Sequence, residues 1–428
     1  VGKIKIFDRN QTGFSVKTEI IAGLTSFFAI SYILIVNPMI LKDAGMPVAI
    51  TFFATAISSA LGCLIMALFA DAPVVLTPGM GVNAFFTYTL VTGMHLTWQQ
   101  ALTISLFSGI VYVIVAFTKL SRILSDKIPL NLKKGITVGI GLFLVELGLE
   151  KAEIIKSGGS RSLLSFGSIT DPATIVAFIG IVICLFLMVK RVPGDFLIGI
   201  IITTVIAKLL GVKSSNATTV SINDIGQFTH ALFQFDFNHF FNTKFLIAVF
   251  SMSMILIFES MGLLEGLLTD PRKFQKSFQA SSMTALLSAG LSTSPTVAAA
   301  ESASGIQSGG KTGLTALTSG IMFAVSIFVA PLIAMIPQAA ISPVIIITGA
   351  LMMKELANIK MAALDDWFPA FLIITLIPLT GSISTGLEFG FIAYPLVKIF
   401  AKKTDELNPA IVTVSILFLL NLILSATI

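Results

Sequence analysis

Apolar residues run through this chain in blocks of about twenty, separated by short polar or basic stretches. The blocks fall at about 18–41, 48–70, 98–118, 129–149, 172–190, 194–210, 244–268, 274–290, 312–336, 340–354, 366–381 and 384–401. Two shorter, interrupted blocks lie at about 74–93 and 292–309. A helix of about 20 apolar residues crosses the hydrocarbon core of a bilayer. The pattern therefore predicts an all-α membrane protein with roughly fourteen transmembrane segments. A further apolar run at about 409–427 is either an extra span or one half of a helix counted twice.

Composition excludes the soluble alternatives. Of 428 residues, 55% are hydrophobic and 11% charged, with a mean hydropathy of +0.96. A soluble domain carries roughly 25% charged residues, so this surface must be solvated by lipid. The loops are too short for a separate soluble catalytic domain. A cytosolic enzyme, a nucleic-acid binder and a receptor with a folded ectodomain are thereby ruled out.

The net charge of +5 is explained by where the basic residues sit. Lys3, Lys5, Arg9 and Lys17 precede the first block, and Lys119, Arg122, Lys127, Lys133 and Lys134 flank the junction of the fourth and fifth. Further clusters follow at Lys190 and Arg191, at Arg272, Lys273 and Lys276, at Lys311, and at Lys398, Lys402 and Lys403. Every second junction is basic, which predicts a cytoplasmic N-terminus in a cell (inner) membrane and an external segment 211–243. The basic, polar start followed by a long apolar block predicts no cleavable signal peptide. Cys63 and Cys184 lie inside apolar blocks and read as small core residues. His95, His230 and His239 show no ligand spacing, so no metal and no cofactor is expected. The Asn216-Ala-Thr sequon matters only in a eukaryotic secretory pathway.

The order of the blocks repeats. Ile128-Pro129 opens the fifth span with Gly141 twelve residues after the proline, and Ile336-Pro337 opens the twelfth with Gly349 at the same distance. Each half also holds one interrupted block. Two seven-span halves of opposite orientation, an inverted repeat, are expected.

The interrupted blocks carry the candidate chemistry. Val74–Phe86 contains Pro78, Gly79 and Gly81, and 291–305 contains Pro295 before a small-residue run. Proline and glycine forbid a regular helix there, so each block predicts a short extended piece followed by a half-helix. Irregular backbone at membrane depth is tolerated only where it is buried or lines a cavity. Half-helix N-termini near the midplane would offer free N–H groups to a polar ligand.

Two carboxylates accompany this geometry: Glu301, near the start of the second half-helix, and Glu259, in the middle of span eight. A charge at that depth costs at least about 2.5–3.5 kcal/mol, so each is either a ligand-binding group or a neutral structural glutamate. No lysine or arginine lies near Glu259 at its depth in spans one, three, eight or ten. This makes it the candidate to carry a coupling proton. Glu146, Glu265 and Glu388 lie nearer span ends, where snorkelling or packing is expected. Residues 305–312 formally satisfy the phosphate-loop pattern G-x-x-x-x-G-K-[ST], but they join two apolar spans and read as a tight cytoplasmic turn.

In the stretches AGLTSFFAISYILIVNP (22–38), TPGMGVNAFF (77–86), FESMGLL (258–264) and TSPTVAAAESASGIQSGGKTGLTAL (293–317), the chain resembles the nucleobase:cation symporter superfamily. Its nearest likeness there is the hypoxanthine/guanine/adenine permease branch of the nucleobase/ascorbate transporter-like fold. The resemblance implies a core domain of residues 1–119 (spans one to four) and 244–338 (spans eight to eleven). It implies a gate domain of residues 120–243 (spans five to seven) and 339–428 (spans twelve to fourteen and the C-terminal segment).

The resemblance also implies a purine bound between the broken spans by carboxylates matching Glu259 and Glu301. Asn83 and Phe85 match the asparagine and aromatic of the family motif, and Ala300 and Ser302 flank Glu301 in the candidate set. The chemistry agrees, because a carboxylate accepts two adjacent N–H groups of a base edge, and an aromatic face stacks on the ring. Asn83 could equally bond a helix, and Phe85 could face the core or lipid. Two departures leave the choice of base open. Glu259-Ser260-Met261-Gly262 stands where the family has aspartate and Thr-Thr-Gly, and Val297–Ala300 where it is threonine-rich with an aromatic.

The expected function is purine-base import by cation symport, with a proton as the ion and sodium as the alternative. A homodimer is compatible with it. The rival readings are a uracil or xanthine permease of the same superfamily, an anion transporter of the related sulfate-transporter fold, and a channel or intramembrane enzyme.

Overall fold

The computed structural model describes residues 15–158, 164–212, 224–238, 242–328 and 336–426. Lys3, Lys5, Arg9, His239 and the Asn216 sequon lie outside the described residues.

Helices follow the apolar blocks. In the first half these are α1 (Val16–Ile30), α2 (Ile33–Asp43), α3 (Val48–Ile65), α4 (Met80–Ala84), α5 (Trp98–Phe117), α6 (Leu120–Lys127), α7 (Leu130–Lys151), α8 (Pro172–Val189) and α9 (Asp195–Leu209). The second half has α10 (Ile225–Ala231), α11 (Thr243–Leu267), α12 (Phe274–Gly290), α13 (Ser302–Gln307), α14 (Gly313–Ser326), α15 (Gln338–Met352), α16 (Leu364–Thr380), α17 (Ile383–Phe400) and α18 (Pro409–Ala426). Four three-residue strands interrupt them: β1 (Leu76–Pro78), β2 (Ile155–Ser157), β3 (Leu164–Phe166) and β4 (Thr296–Ala298).

Among the described residues, seven helical stretches are long and apolar enough to cross a membrane, beginning at Val16, Val48, Trp98, Pro172, Thr243, Gln338 and Ile383. Their outward faces carry large apolar side chains such as Leu68, Ile114, Val182, Phe186 and Leu396. So extensive an apolar surface belongs in lipid.

Three details were not legible beforehand. The first apolar block is two helices, parted at Ser31–Tyr32. The run at 409–427 is a helix of its own, α18, packed on α17 and separated from it by the turn Thr404–Glu406. Part of the 211–243 segment forms α10, which buries Phe228 and Ala231 against α3.

Close helix contacts are made through small residues, as expected where no hydrophobic effect drives association. At the α7–α15 crossing, a Cβ on Gly141 would stand 2.7 Å from the Gly349 carbonyl oxygen, and one on Gly349 would come closer still to that of Gly141.

Charged pins tie the helix ends. On one face of the bundle, buried Lys133 pairs with Glu265 at 3.0 Å. On the same face, fully buried Lys398 sits among Asp365, Asp366 and Glu406 at 2.8, 2.5 and 2.5 Å. On the opposite face, Lys151 pairs with Asp43, which also accepts the Tyr88 hydroxyl at 2.7 Å.

Candidate functional site

The two interrupted blocks meet in the middle of the bundle. β1 and β4 pair antiparallel, with Leu76 opposite Ala298, Thr77 opposite Val297 and Pro78 opposite Thr296. Backbone that has left the helical pattern needs new partners at this depth, and the pairing supplies them. The Gly79 N–H donates to the Pro295 carbonyl at 3.2 Å, and the Ala299 N–H to that of Val75 at 3.0 Å. Ser302 closes the ladder, its Oγ accepting from the Val75 N–H at 2.9 Å. A half-helix then leaves each strand: α4, which widens into π-helical turns over Phe85–Gly93, and α13, with Glu301 at its N-cap.

Glu259 points from α11 onto the start of α4. A Cβ on Gly79 would lie 3.6 Å from its Oε1, and one on Gly81 would lie 3.1 Å from its Oε2 and 2.8 Å from Ile140. Only glycine leaves room at position 81 for both the carboxylate and α7. Glu259 is 5% exposed, and its Oε2 accepts no hydrogen bond among the described residues. Lys133, on the neighbouring helix α7, is committed to Glu265. A buried carboxylate oxygen without a donor is a costly vacancy in the hydrogen-bond account. It is the feature to expect of a group that waits for a ligand or a proton.

Glu301 stands at the N-cap of α13, three residues beyond the end of β4. Its Oε1 accepts the hydroxyl of Tyr32, which stands at the α1–α2 break, and Thr348 of α15 lies 3.4 Å from the same phenol oxygen. The Phe196 ring packs edge-on against Tyr32 with centroids 5.2 Å apart.

The remaining candidates divide. Asn83 is fully buried and donates to Asn37 Oδ1 at 3.0 Å, while its own Oδ1 has no partner among the described residues. Asn37 is saturated: it donates to Thr55 and Thr293 at 2.8 and 3.1 Å and also accepts from Ser294 at 3.2 Å. The Asn83 amide nitrogen therefore ties α4 to α2 and to the second broken segment. Ser302 Oγ is likewise engaged with the backbone of Val75.

Phe85 lines a cavity of about 350 Å³ with Lys244, Ser251, Ser384, Thr385 and Glu388, and neither Glu259 nor Glu301 lines it. Ala300 lines a second cavity, of about 710 Å³, with Ala303, Gly262, Lys133 and Glu265. These cavities enter from opposite faces of the bundle. A third, of about 500 Å³, is lined mainly by apolar residues such as Phe27, Leu34 and Ile201 and contains neither carboxylate.

Sequence reasoning overlooked Tyr32 and Asn37. Their only signal is that each interrupts an apolar run. Glu388 was expected at a span end, yet it is 3% exposed and accepts from Ser384 at 3.1 Å and Asn421 at 2.6 Å. The phosphate-loop-like turn is filled from within. Glu19 accepts the Lys311 and Thr312 N–H groups at 3.0 and 3.2 Å and the Thr315 hydroxyl at 2.5 Å, and Asp71 accepts the Gly313 N–H at 2.7 Å. The amides that a phosphate would need are taken by the protein's own carboxylates.

The Permease family model matches residues 17–389 of this sequence. The chain belongs to that family. It is thus a multi-pass membrane permease and not an enzyme, and the resemblance read from its motifs holds over nearly its whole length. Among its relatives, the nucleobase transporter PlAzg2 of Paenibacillus larvae is 40% identical over 89% of this chain and 77% of its own length. The guanine/hypoxanthine permease PbuO of Bacillus subtilis is 37% identical over 97% of this chain and 99% of its own. The adenine permease AdeP of Escherichia coli is 32% identical over 98% and 95%. In three dimensions the permease is similar to the transmembrane domain of the cyanobacterial bicarbonate transporter BicA (TM-score 0.66, 17% identity, covering 90% of this chain and 98% of that one). It is also similar to the murine anion transporter Slc26a9 in its inward-facing state (TM-score 0.64, 13% identity, covering 94% and 70%). At such identities the likeness is one of fold alone.

Proposed function

We propose that this permease is a secondary active transporter that imports a purine nucleobase (hypoxanthine, guanine or adenine) by cation symport, with a proton as the coupling ion. The observation that carries the reading is the Glu259 carboxylate, buried against Gly79 and Gly81 with one oxygen unbonded. A base edge with adjacent N–H groups satisfies such an oxygen without adding a charge. The relatives named as guanine/hypoxanthine and adenine permeases, at 37% and 32% identity over most of the chain, support the same substrate class.

In this reading Glu259 and Glu301 hold the base, with Tyr32 positioning Glu301. Asn83 shapes the α4 end of the site through Asn37, its free Oδ1 turned to the base, and Ala300 and Ser302 frame Glu301. A proton on Glu259 removes an unpaired charge and turns one oxygen into a donor for a ring nitrogen. Proton and base then favour each other's binding, and linkage makes that coupling reciprocal.

The wider architecture belongs to the same proposal. Fourteen spans form two inverted seven-span repeats, a view supported by the antiparallel β1–β4 pair and by the meeting of Gly141 and Gly349. The core comprises 1–119 and 244–338, and the gate 120–243 and 339–428. The face carrying Lys133 and Lys398 is cytoplasmic, along with the N-terminus, and the protein resides in the cell membrane. The core then moves against the gate, opening the 710 Å³ cavity to the cytoplasm or the 350 Å³ cavity to the outside.

The test is uptake of labelled hypoxanthine into proteoliposomes under an imposed pH or sodium gradient, with unlabelled adenine, guanine, xanthine, uracil and bicarbonate as competitors. Saturable uptake driven by the pH gradient and competed by purines is expected. Competition by bicarbonate alone would favour an anion transporter, and a response to sodium alone would replace the coupling ion.

A further inference from the structure

We propose that the outer cavity is a second, weaker nucleobase site that loads the transporter from outside, with Glu388 as its N–H acceptor. This rests on the nucleobase reading above. The cavity, about 350 Å³, is roomy enough for a bicyclic base and is bounded by Phe85 of the first half-helix, Ser251 of α11 and Ser384, Thr385 and Glu388 of α17.

Glu388 is held as an acceptor. Ser384 and Asn421 both donate to its Oε1, at 3.1 and 2.6 Å, and among the described residues no hydrogen bond reaches Oε2. The donors are themselves ordered: Ser251 and Ser384 hydroxyls lie 2.6 Å apart, and Asn421 Nδ2 is 3.4 Å from Ser251. Two helices thus grip one oxygen of a carboxylate that is 97% buried, and leave the other to the cavity.

The chemistry of the lining selects the ligand. The free carboxylate oxygen accepts an N–H, and the hydroxyl oxygens of Ser384 and Thr385, whose protons go to Glu388 and Ser382, keep lone pairs for further N–H groups of a base edge, while Phe85 gives the cavity an apolar wall. A bare cation is the other guest that a carboxylate invites. Lys244 lines the same cavity and opposes a second positive charge, so a neutral, planar heterocycle fits better. This is the same recognition as in the central site, with one carboxylate instead of two. A base leaving either site meets an equivalent partner in the other. Phe85, in the wall of the outer cavity, lies two residues from Asn83 on the half-helix that also carries Gly81.

The experiment uses the full chain in proteoliposomes. Cys63 and Cys184 are buried, so a cysteine at the half-buried Thr385 gives a new accessible thiol for a membrane-impermeant reagent added from outside. Saturating hypoxanthine should slow modification of Thr385→Cys several-fold. Protection should persist when Glu301→Gln is added, because that change disables only the central site. It should vanish when Glu388→Gln is added instead. Loss of protection with Glu301→Gln, or its survival with Glu388→Gln, would overturn the proposal. If Thr385→Cys does not fold, Ser382→Cys in the same cavity replaces it. Equilibrium dialysis of the parent protein separates the two readings: no purine binding at all would remove the nucleobase assignment itself.

Discussion

Gly141 of α7 and Gly349 of α15 lie against one another, each with its carbonyl oxygen in the space where the other's side chain would project. They are the two glycines that stand twelve residues after the paired prolines Pro129 and Pro337. Residues that occupy matching places in two copies of a sequence motif have come together at one helix crossing. The proposed inverted repeat would produce such an arrangement.

This contact sets the first prediction. Gly349→Ala should lower the thermal midpoint of the purified protein, at a cost of about 1–3 kcal/mol for an overpacked contact. The control is Gly226→Ala, where nothing lies within 4 Å of the added carbon. Equal midpoints for the two variants, followed by intrinsic fluorescence on heating, would show that the crossing tolerates a wider spacing.

Glu301→Gln should abolish tight purine binding while the protein still inserts and elutes as a single species. Losing a charge-assisted hydrogen bond costs about 1.5–3 kcal/mol, or roughly a tenfold to hundredfold rise in Kd. Tyr32→Phe, which removes only the hydroxyl that orients Glu301, should weaken binding in the same direction by less. Near-normal affinity in the glutamine variant would remove Glu301 from the site.

Glu259→Gln separates binding from coupling. The amide cannot take up a proton, so purine exchange between the two sides should survive better than accumulation driven by a pH gradient. Both are read from labelled hypoxanthine in proteoliposomes. A variant that still concentrates purine in response to pH alone would show that the proton is carried elsewhere.

The Lys133–Glu265 pair joins α7 to α11. Removing one partner of a buried pair leaves a stranded charge, at about 3–5 kcal/mol. Because Glu265 is partly exposed, Glu265→Gln should fall at or below the low end of that range. The double variant Lys133→Met/Glu265→Met should recover much of the loss, since the stranded ammonium is gone. Thermal midpoints of Lys133→Met, Glu265→Met and the double variant give the cycle, and additive losses would mean that the pair is not coupled.

What the sequence by itself determined is whatever depends on one residue and its near neighbours. Apolar blocks predicted the helices, because a bilayer demands unbroken hydrogen-bonded helix over a fixed length. Pro78, Gly79 and Pro295 marked the two breaks, because proline and glycine act on their own backbone. Glu259 and Glu301 stood out because a buried charge is costly wherever it is placed. Partners were a different matter. Tyr32 reaches Glu301 across 269 positions, Asn37 reaches Asn83 across 46, and Glu19 fills the Lys311–Thr312 turn from 292 positions away. Phe85 was grouped with Asn83 two residues earlier, yet its ring lines the cavity of Glu388. Such pairings follow from where whole helices pack, and a polar side chain in an apolar run does not record which neighbour will satisfy it. Only the tertiary structure decides that, because each buried donor and acceptor is matched in space, by the set of helices that close around it.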